Sequence, residues 1–179
     1  MISERFYGRL RSFRAWTARE KACFPLVWLL LGLVRLIILL VPFRHWISRL
    51  GNQFGAVPVI PVLTPHGEAI ATSVGRVVRA AAAVTPWNSD CLPQAVTARI
   101  LLGFASIPCS LFLGVAIDEA ARGRLTGNSR RDAASASFAH AWVSAGRIHV
   151  TGGESFSRFA VLGCFGSKTL LSPMHASRT

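Results

Sequence analysis

Acidic residues are scarce in this chain of 179 residues: eight Asp and Glu stand against twenty Lys and Arg, a formal net charge of +12. Only 16% of the residues are charged and 51% are hydrophobic, so the surface is short of polar cover, and an obligate partner or a membrane surface would explain it. The charge suits an acidic peptide, an acidic partner protein, anionic lipid or nucleic acid, and does not by itself separate them. The four cysteines, Cys23, Cys91, Cys109 and Cys164, show no CxxC spacing, which argues against structural zinc. No secretory signal is evident, so free thiols in a reducing cytoplasm are expected. Internal repeats, glycine-rich phosphate loops and paired carboxylates are missing too, and nucleic-acid binding has only charge in its favour, without a groove-reading motif. His45 and His66 lie outside the motifs below and His149 could lie near the site, and they do not build a metal centre.

What the chain does have is the run Trp87-Asn88-Ser89-Asp90-Cys91-Leu92-Pro93-Gln94-Ala95 and, some fifty positions later, Ala139-His140-Ala141-Trp142. Asn88, Ser89 and Asp90 are helix-capping types, and Leu92, Ala95, Val96, Ile100 and Leu101 follow at helical spacing, which puts Cys91 in a first turn. Pro93 fits that turn, where its missing N–H has no helical partner to lose. Unpaired N–H groups and the positive end of the helix dipole favour a thiolate there. Around His140 the period is two: Phe138, His140 and Trp142 alternate with Ala139, Ala141 and Val143, the pattern of a strand carrying the histidine on one face. A buried cysteine and a satisfied core histidine are the plain alternatives. Nucleophile and base need only be neighbours in the fold, so the spacing permits catalysis without specifying it.

The motif run around Cys91, then Ile107-Pro108 leading to Leu113-Gly114-Val115, then Ala139-His140-Ala141-Trp142-Val143 and Phe159-x-Val161-Leu162, resembles the leader peptidase of lasso peptide biosynthesis. That family, the lasso B proteins, belongs to the transglutaminase-like, papain-related superfamily. The resemblance covers roughly residues 70 to 165, with the segment ending Pro42-Phe43-Arg44 similar to the family's front end. It implies a cysteine peptidase with Cys91 as nucleophile and His140 as base, no cofactor and no metal. It also implies a separate leader-recognition protein and an asparagine-synthetase-like lactam cyclase as partners of the precursor leader peptide. The family's third catalytic residue is an aspartate about a dozen positions after the histidine, and here the chain departs: Val143 to Gly153 contains no acid, Thr151 or Gly152 stands at the expected place, and Glu154 is the nearest carboxylate. Either Glu154 orients the imidazole, or a hydroxyl or main-chain carbonyl does.

Elsewhere the chain reads as support. Phe6, Leu10, Phe13 and Ala18 share a helical face ringed by Arg5, Arg9, Arg11, Arg14 and Arg19, a basic amphipathic helix. Pro25 to Phe43 is apolar except for Arg35 and nearly long enough to span a bilayer, which takes roughly twenty residues. Arg35 near its centre costs on the order of 3 kcal/mol in lipid, so the expectation is a buried helix of the fold with Arg35 snorkelling or paired. Gly51 to Gly67 is a linker with Pro58, Pro61 and Pro65; Glu68 to Val84 is a helix packed beside the nucleophile helix. Strands are expected at Ile107 to Ile117, Ser137 to Ala145, Arg147 to Val150 and Phe156 to Phe165, with a basic loop from Asp118 to Ser137 before His140. The expected organisation is residues 1–66 as a helical region and linker, 67–166 as an α+β peptidase core with the nucleophile helix packed on an antiparallel sheet, and 167–179 as a polar tail. The rival readings are a membrane-associated adaptor of the same fold without turnover, and acyl or amide transfer through the same Cys-His pair.

Overall fold

A computed structural model describes residues 17–87, 89–116, 139–153 and 159–167, with Arg19, Ser48 and Arg49 described by backbone alone. The basic helix expected near the N-terminus, the loop from Asp118 to Ser137 and the polar tail lie outside the described residues.

Helix α1, Ala18–Leu40, starts on a capping box: the Thr17 side chain accepts the Glu20 N–H at 3.3 Å, and Glu20 Oε2 accepts the Thr17 N–H at 2.8 Å. Glu20 is buried, and its Oε1 lies 3.2 Å from Arg76 Nη1. Burial works to raise the Glu20 carboxyl's pKa, yet the bonds from Thr17 and Ser73 and the charge of Arg76 together hold it below the usual carboxylate value. Pro25 sits inside this helix rather than at its start.

The expectation that this apolar segment is buried holds for one side only. Val27, Leu31 and Val34 are buried against two further helices, whereas Leu26, Leu29, Leu33, Leu36 and Leu40 stay 50% to 71% exposed. A helix that is apolar all round has no polar stripe to mark its solvent side, so its pattern does not say which faces will find partners. Arg35 is half-buried and pairs with no carboxylate among the described residues.

Short 3₁₀ turns at Phe43–His45 and Ile47–Leu50 lead to strand β1, Asn52–Gln53. Helix α2, Pro65–Ala82, then begins earlier than expected, because Pro65 opens it: Thr64 caps it by accepting the Gly67 N–H at 3.2 Å. Helix α3 is Cys91–Phe104. All three helices pack against one another, and α2 and α3 also pack on the sheet.

The sheet is antiparallel, with β2 (Ser110–Ala116), β3 (Ala139–Ala145), β4 (Ile148–Thr151) and β5 (Phe159–Gly166) arranged with β1 in the order β1-β5-β2-β3-β4. β2 starts three positions after Ile107, the start expected from its apolar run. Alternation along the strands sends Leu111, Ala141, Val143 and Phe165 toward the helices, where they join Leu31, Ala71, Val78, Ala95 and Leu102 in the main core. Each large side chain so buried contributes about 1.5–3 kcal/mol. The other face carries Phe112, Trp142 and Cys164 beneath Phe54 and Val59. The segment after β1 is held there by Phe54 N–H to Cys164 O, 2.9 Å, and Cys164 N–H to Gly55 O, 2.7 Å.

Two contacts lock helix to sheet. A Cβ on Gly75 would fall 2.5 Å from the Val150 carbonyl oxygen, so α2 lies directly on β4, and Arg79 Nη1 donates to that same oxygen at 2.7 Å. The expected Ala145-Gly146 turn joins β3 to β4 with Gly146 at φ +60, and Glu68 of α2 accepts the Arg147 N–H at 3.3 Å.

Candidate active site

Cys91 is the first residue of α3, with Asp90 in the N-cap position. The Asp90 side chain makes no capping bond, Pro93 has no N–H, and the Gln94 N–H reaches the Asp90 carbonyl at 3.4 Å. The first-turn donors left are the N–H groups of Cys91 and Leu92, and among the described residues no acceptor meets them. Two such donors beside a thiol are what an oxyanion needs. Gln94 is not among them: its Nε2 donates to Ser89 O at 2.6 Å, turning the amide back onto the preceding loop.

That loop is braced from within and from α1. The Thr85 hydroxyl lies 2.8 Å from Ser89 Oγ and 3.0 Å from the Trp87 carbonyl oxygen. Trp87 meets Trp28 of α1 with ring centroids 4.9 Å apart, and it lies over Gly32, where a Cβ would sit 3.0 Å from Trp87 Cζ2. The loop leading to Cys91 is therefore seated on α1 through a gap that only glycine leaves.

His140 on β3 pairs with Gly114 on β2. Its ring is part of an aromatic column: Phe159 at 4.6 Å and 24°, Trp142 at 5.9 Å and 20°, then Phe112 stacked 5.5 Å from Trp142. Gly114 makes room for it, since a Cβ there would fall 2.6 Å from Ala160 O and 2.8 Å from the Trp142 ring. His140 shares the Trp142 face, away from the helices, while Cys91 comes from the helix side. The two reach one cleft of about 430 Å³, lined also by Phe43, Ile47, Leu92, Leu113, Val115, Leu162 and Phe165. Thiol and imidazole thus share a largely apolar cleft, with no hydrogen bond joining them among the described residues.

His140 Nε2 lies 3.4 Å from the Gly152 carbonyl oxygen. A carbonyl only accepts, so a hydrogen bond here requires Nε2–H, the tautomer in which Nδ1 carries the acceptor lone pair. Glu154, the carboxylate read as orienter, lies outside the described residues; the main-chain alternative at Gly152 has an observed partner.

Cys109 and Cys164 are buried, and burial pushes both thiols up, with Arg99 offsetting part of the rise. Arg99 of α3 donates from Nη1 to Phe165 O at 3.0 Å and from Nη2 to Gly166 O at 3.1 Å, fastening α3 to the end of β5. Sequence reasoning missed this anchor, and it missed Phe43 and Ile47 as cleft walls and Phe159 and Phe112 as members of the His140 column. Period-two patterns placed the two phenylalanines in strands, but only the register brings them to the histidine. His149 is exposed on β4. Among the described residues no three His, Cys, Asp or Glu side chains gather to hold a metal.

A family model described as transglutaminase-like superfamily matches residues 37–164. Comparisons with curated proteins and with solved structures give no match.

Proposed function

The chain belongs to the transglutaminase-like superfamily, and from that premise we propose that it is a cysteine peptidase removing the leader peptide from a ribosomally synthesised lasso peptide precursor. The observation that carries the reading is that Cys91, on a helix N-terminus, and His140, on β3, line one cleft.

The chemistry follows from those positions. Nδ1 of His140 takes the Cys91 proton, and the thiolate attacks the carbonyl of the last leader residue. The N–H groups of Cys91 and Leu92 hold the oxyanion. The imidazolium then protonates the leaving amine, which begins the mature peptide, and water releases the leader from the acyl-enzyme. The Gly152 carbonyl keeps the ring in the acting tautomer, with Glu154 the next carboxylate along the sequence. Apolar cleft walls exclude water and strengthen each of these polar contacts. A separate leader-recognition protein delivers the precursor, and an asparagine-synthetase-like lactam cyclase closes the ring afterwards.

The test is mass spectrometry of the precursor incubated with the recognition protein and either wild type or Cys91→Ala. A leader fragment made by wild type alone is expected. Intact precursor with both proteins, each folded and bound to the precursor, overturns the peptidase reading.

A further inference from the structure

The outward side of α1 is a leucine stripe. Leu26, Leu29, Leu33, Leu36 and Leu40 recur at spacings of three and four, which aligns them on one face, and each is 50% to 71% exposed. Ile37 and Leu39 widen it, at 40% and 65%. Every exposed residue from 22 to 41 is uncharged, and Arg35, the one charge within that span, is half-buried. Cations stand at both ends instead: Lys21 is exposed at the start, and Arg44 is exposed just beyond the finish. The one acid nearby among the described residues, Glu20, is buried and paired with Arg76. The stretch Glu20–Leu40 has a mean hydropathy of 2.5, and the whole chain carries +12.

We propose that α1 lies flat on an anionic lipid bilayer, with its leucine face at the edge of the acyl region and Lys21 and Arg44 at the headgroup phosphates. Flat apposition, not spanning, follows from the other side of the helix. Val27, Leu31 and Val34 are buried in the protein core, and a span surrounded by lipid would strip them from α2 and α3. A second copy fits less well than lipid. Two helices in water bury a narrow stripe flanked by charges, whereas here the flanks are Ile37 and Leu39 and the apolar arc is wider than one partner helix covers. Basic ends around an apolar face match an anionic surface in both charge and shape.

The placement also bears on the site. Phe43 and Ile47, in the turns that follow α1, line the cleft that holds Cys91. A chain docked through α1 therefore keeps that cleft beside the lipid surface, where a basic protein meets peptides held at the membrane. The docking stands independently of the peptidase reading, because its test reads no turnover.

The experiment is sedimentation of the full chain with vesicles of phosphatidylglycerol and phosphatidylcholine, compared with phosphatidylcholine alone, for wild type and Leu29→Glu/Leu33→Glu. Circular dichroism and gel filtration accompany each protein. Wild type is expected to bind the anionic vesicles, and the double substitution to lower that binding about tenfold or more. Should the glutamate pair fail to fold, Leu29→Ser/Leu33→Ser takes its place with the same expectation. Absence of vesicle binding overturns the proposal. So does equal binding by the substituted protein, which would assign the attraction to basic segments alone. A lipid-free dimer that the substitution dissociates would assign the face to a second copy and overturn it as well.

Discussion

His140 Nε2 faces the Gly152 carbonyl oxygen at 3.4 Å, so the candidate base is held by main chain from the turn that follows β4. A main-chain partner has no charge to stabilise an imidazolium, and it fixes the tautomer all the same. Hydrogen bonds of this kind are often long without substrate and tighten when it binds.

The first prediction separates the three roles. Cys91→Ala and His140→Ala each lower leader cleavage by on the order of 10⁴ or more, because nucleophile and base act as a unit. Glu154→Ala lowers kcat by about tenfold or less if the Gly152 carbonyl already sets the tautomer. Timed mass spectrometry of the cleavage reaction measures all three, and a Glu154→Ala loss as large as that of His140→Ala would make the carboxylate the orienter.

Gly114→Ala is expected to damage the site more than the fold. The new methyl meets Ala160 O and the Trp142 ring, and Trp142 stacks on His140. Shifting that indole tilts the imidazole, so kcat falls by about tenfold or more, while overpacking costs on the order of 1–3 kcal/mol. Paired activity and thermal-melt measurements distinguish this from simple unfolding, in which both would fail together.

The seat of the nucleophile loop gives a third expectation. Gly32→Leu drives a side chain into Trp87, destabilising the protein by about 1–3 kcal/mol. A thermal melt should fall by roughly 2–4 °C for each kcal/mol. Unchanged melting would mean that Trp87 swings away from α1 at no cost.

Thiol reactivity should divide the cysteines. Iodoacetamide at neutral pH is expected to modify exposed Cys23 and half-buried Cys91, and to spare Cys109 and Cys164, which are covered and held protonated. A raised thiol pKa adds stability that is complete below the unfolded value, here 9.0, and fades as the pH climbs through the folded one. Stability therefore falls in alkaline solution, and Cys109→Ala flattens that fall in denaturant titrations run across pH.

Glu20 works in the opposite sense. Its carboxyl is held below 4.5, so its contribution is present above that pH and lost as the pH falls through the folded value. Glu20→Gln should melt below wild type at pH 7 and converge with it in acid. A constant gap across that range would show that charge plays no part in the tie between α1 and Arg76.

Local features of the fold and site were legible because their causes lie within a few residues. The capping types before Cys91 announced the start of α3, and alternation around His140 announced β3, although Asp90 turned out to occupy the cap position without bonding through its side chain. Features set by register were not legible. Nothing in the spacing says that Phe159 will lie on His140, or which main-chain carbonyl will face the imidazole, since main chain has no residue type to read. The apolar run before Pro42 showed its character but not its covered side, because that depends on where α2 and α3 come to rest. Pro65 misled for a simpler reason: proline breaks helices from within and starts them at the first position.

The base and its partner carbonyl are twelve positions apart in one hairpin, while the thiol stands about fifty positions upstream on a helix that must dock from elsewhere. Closing a short hairpin loop loses little chain entropy and takes microseconds, and bringing distant segments together is slower. Chain entropy therefore favours the His140–Gly152 contact before α3 settles onto the sheet and brings Cys91 to the cleft. By the same argument the two sides of the cleft come together late, so on the peptidase reading a half-folded chain would carry the Cys91 thiol apart from His140.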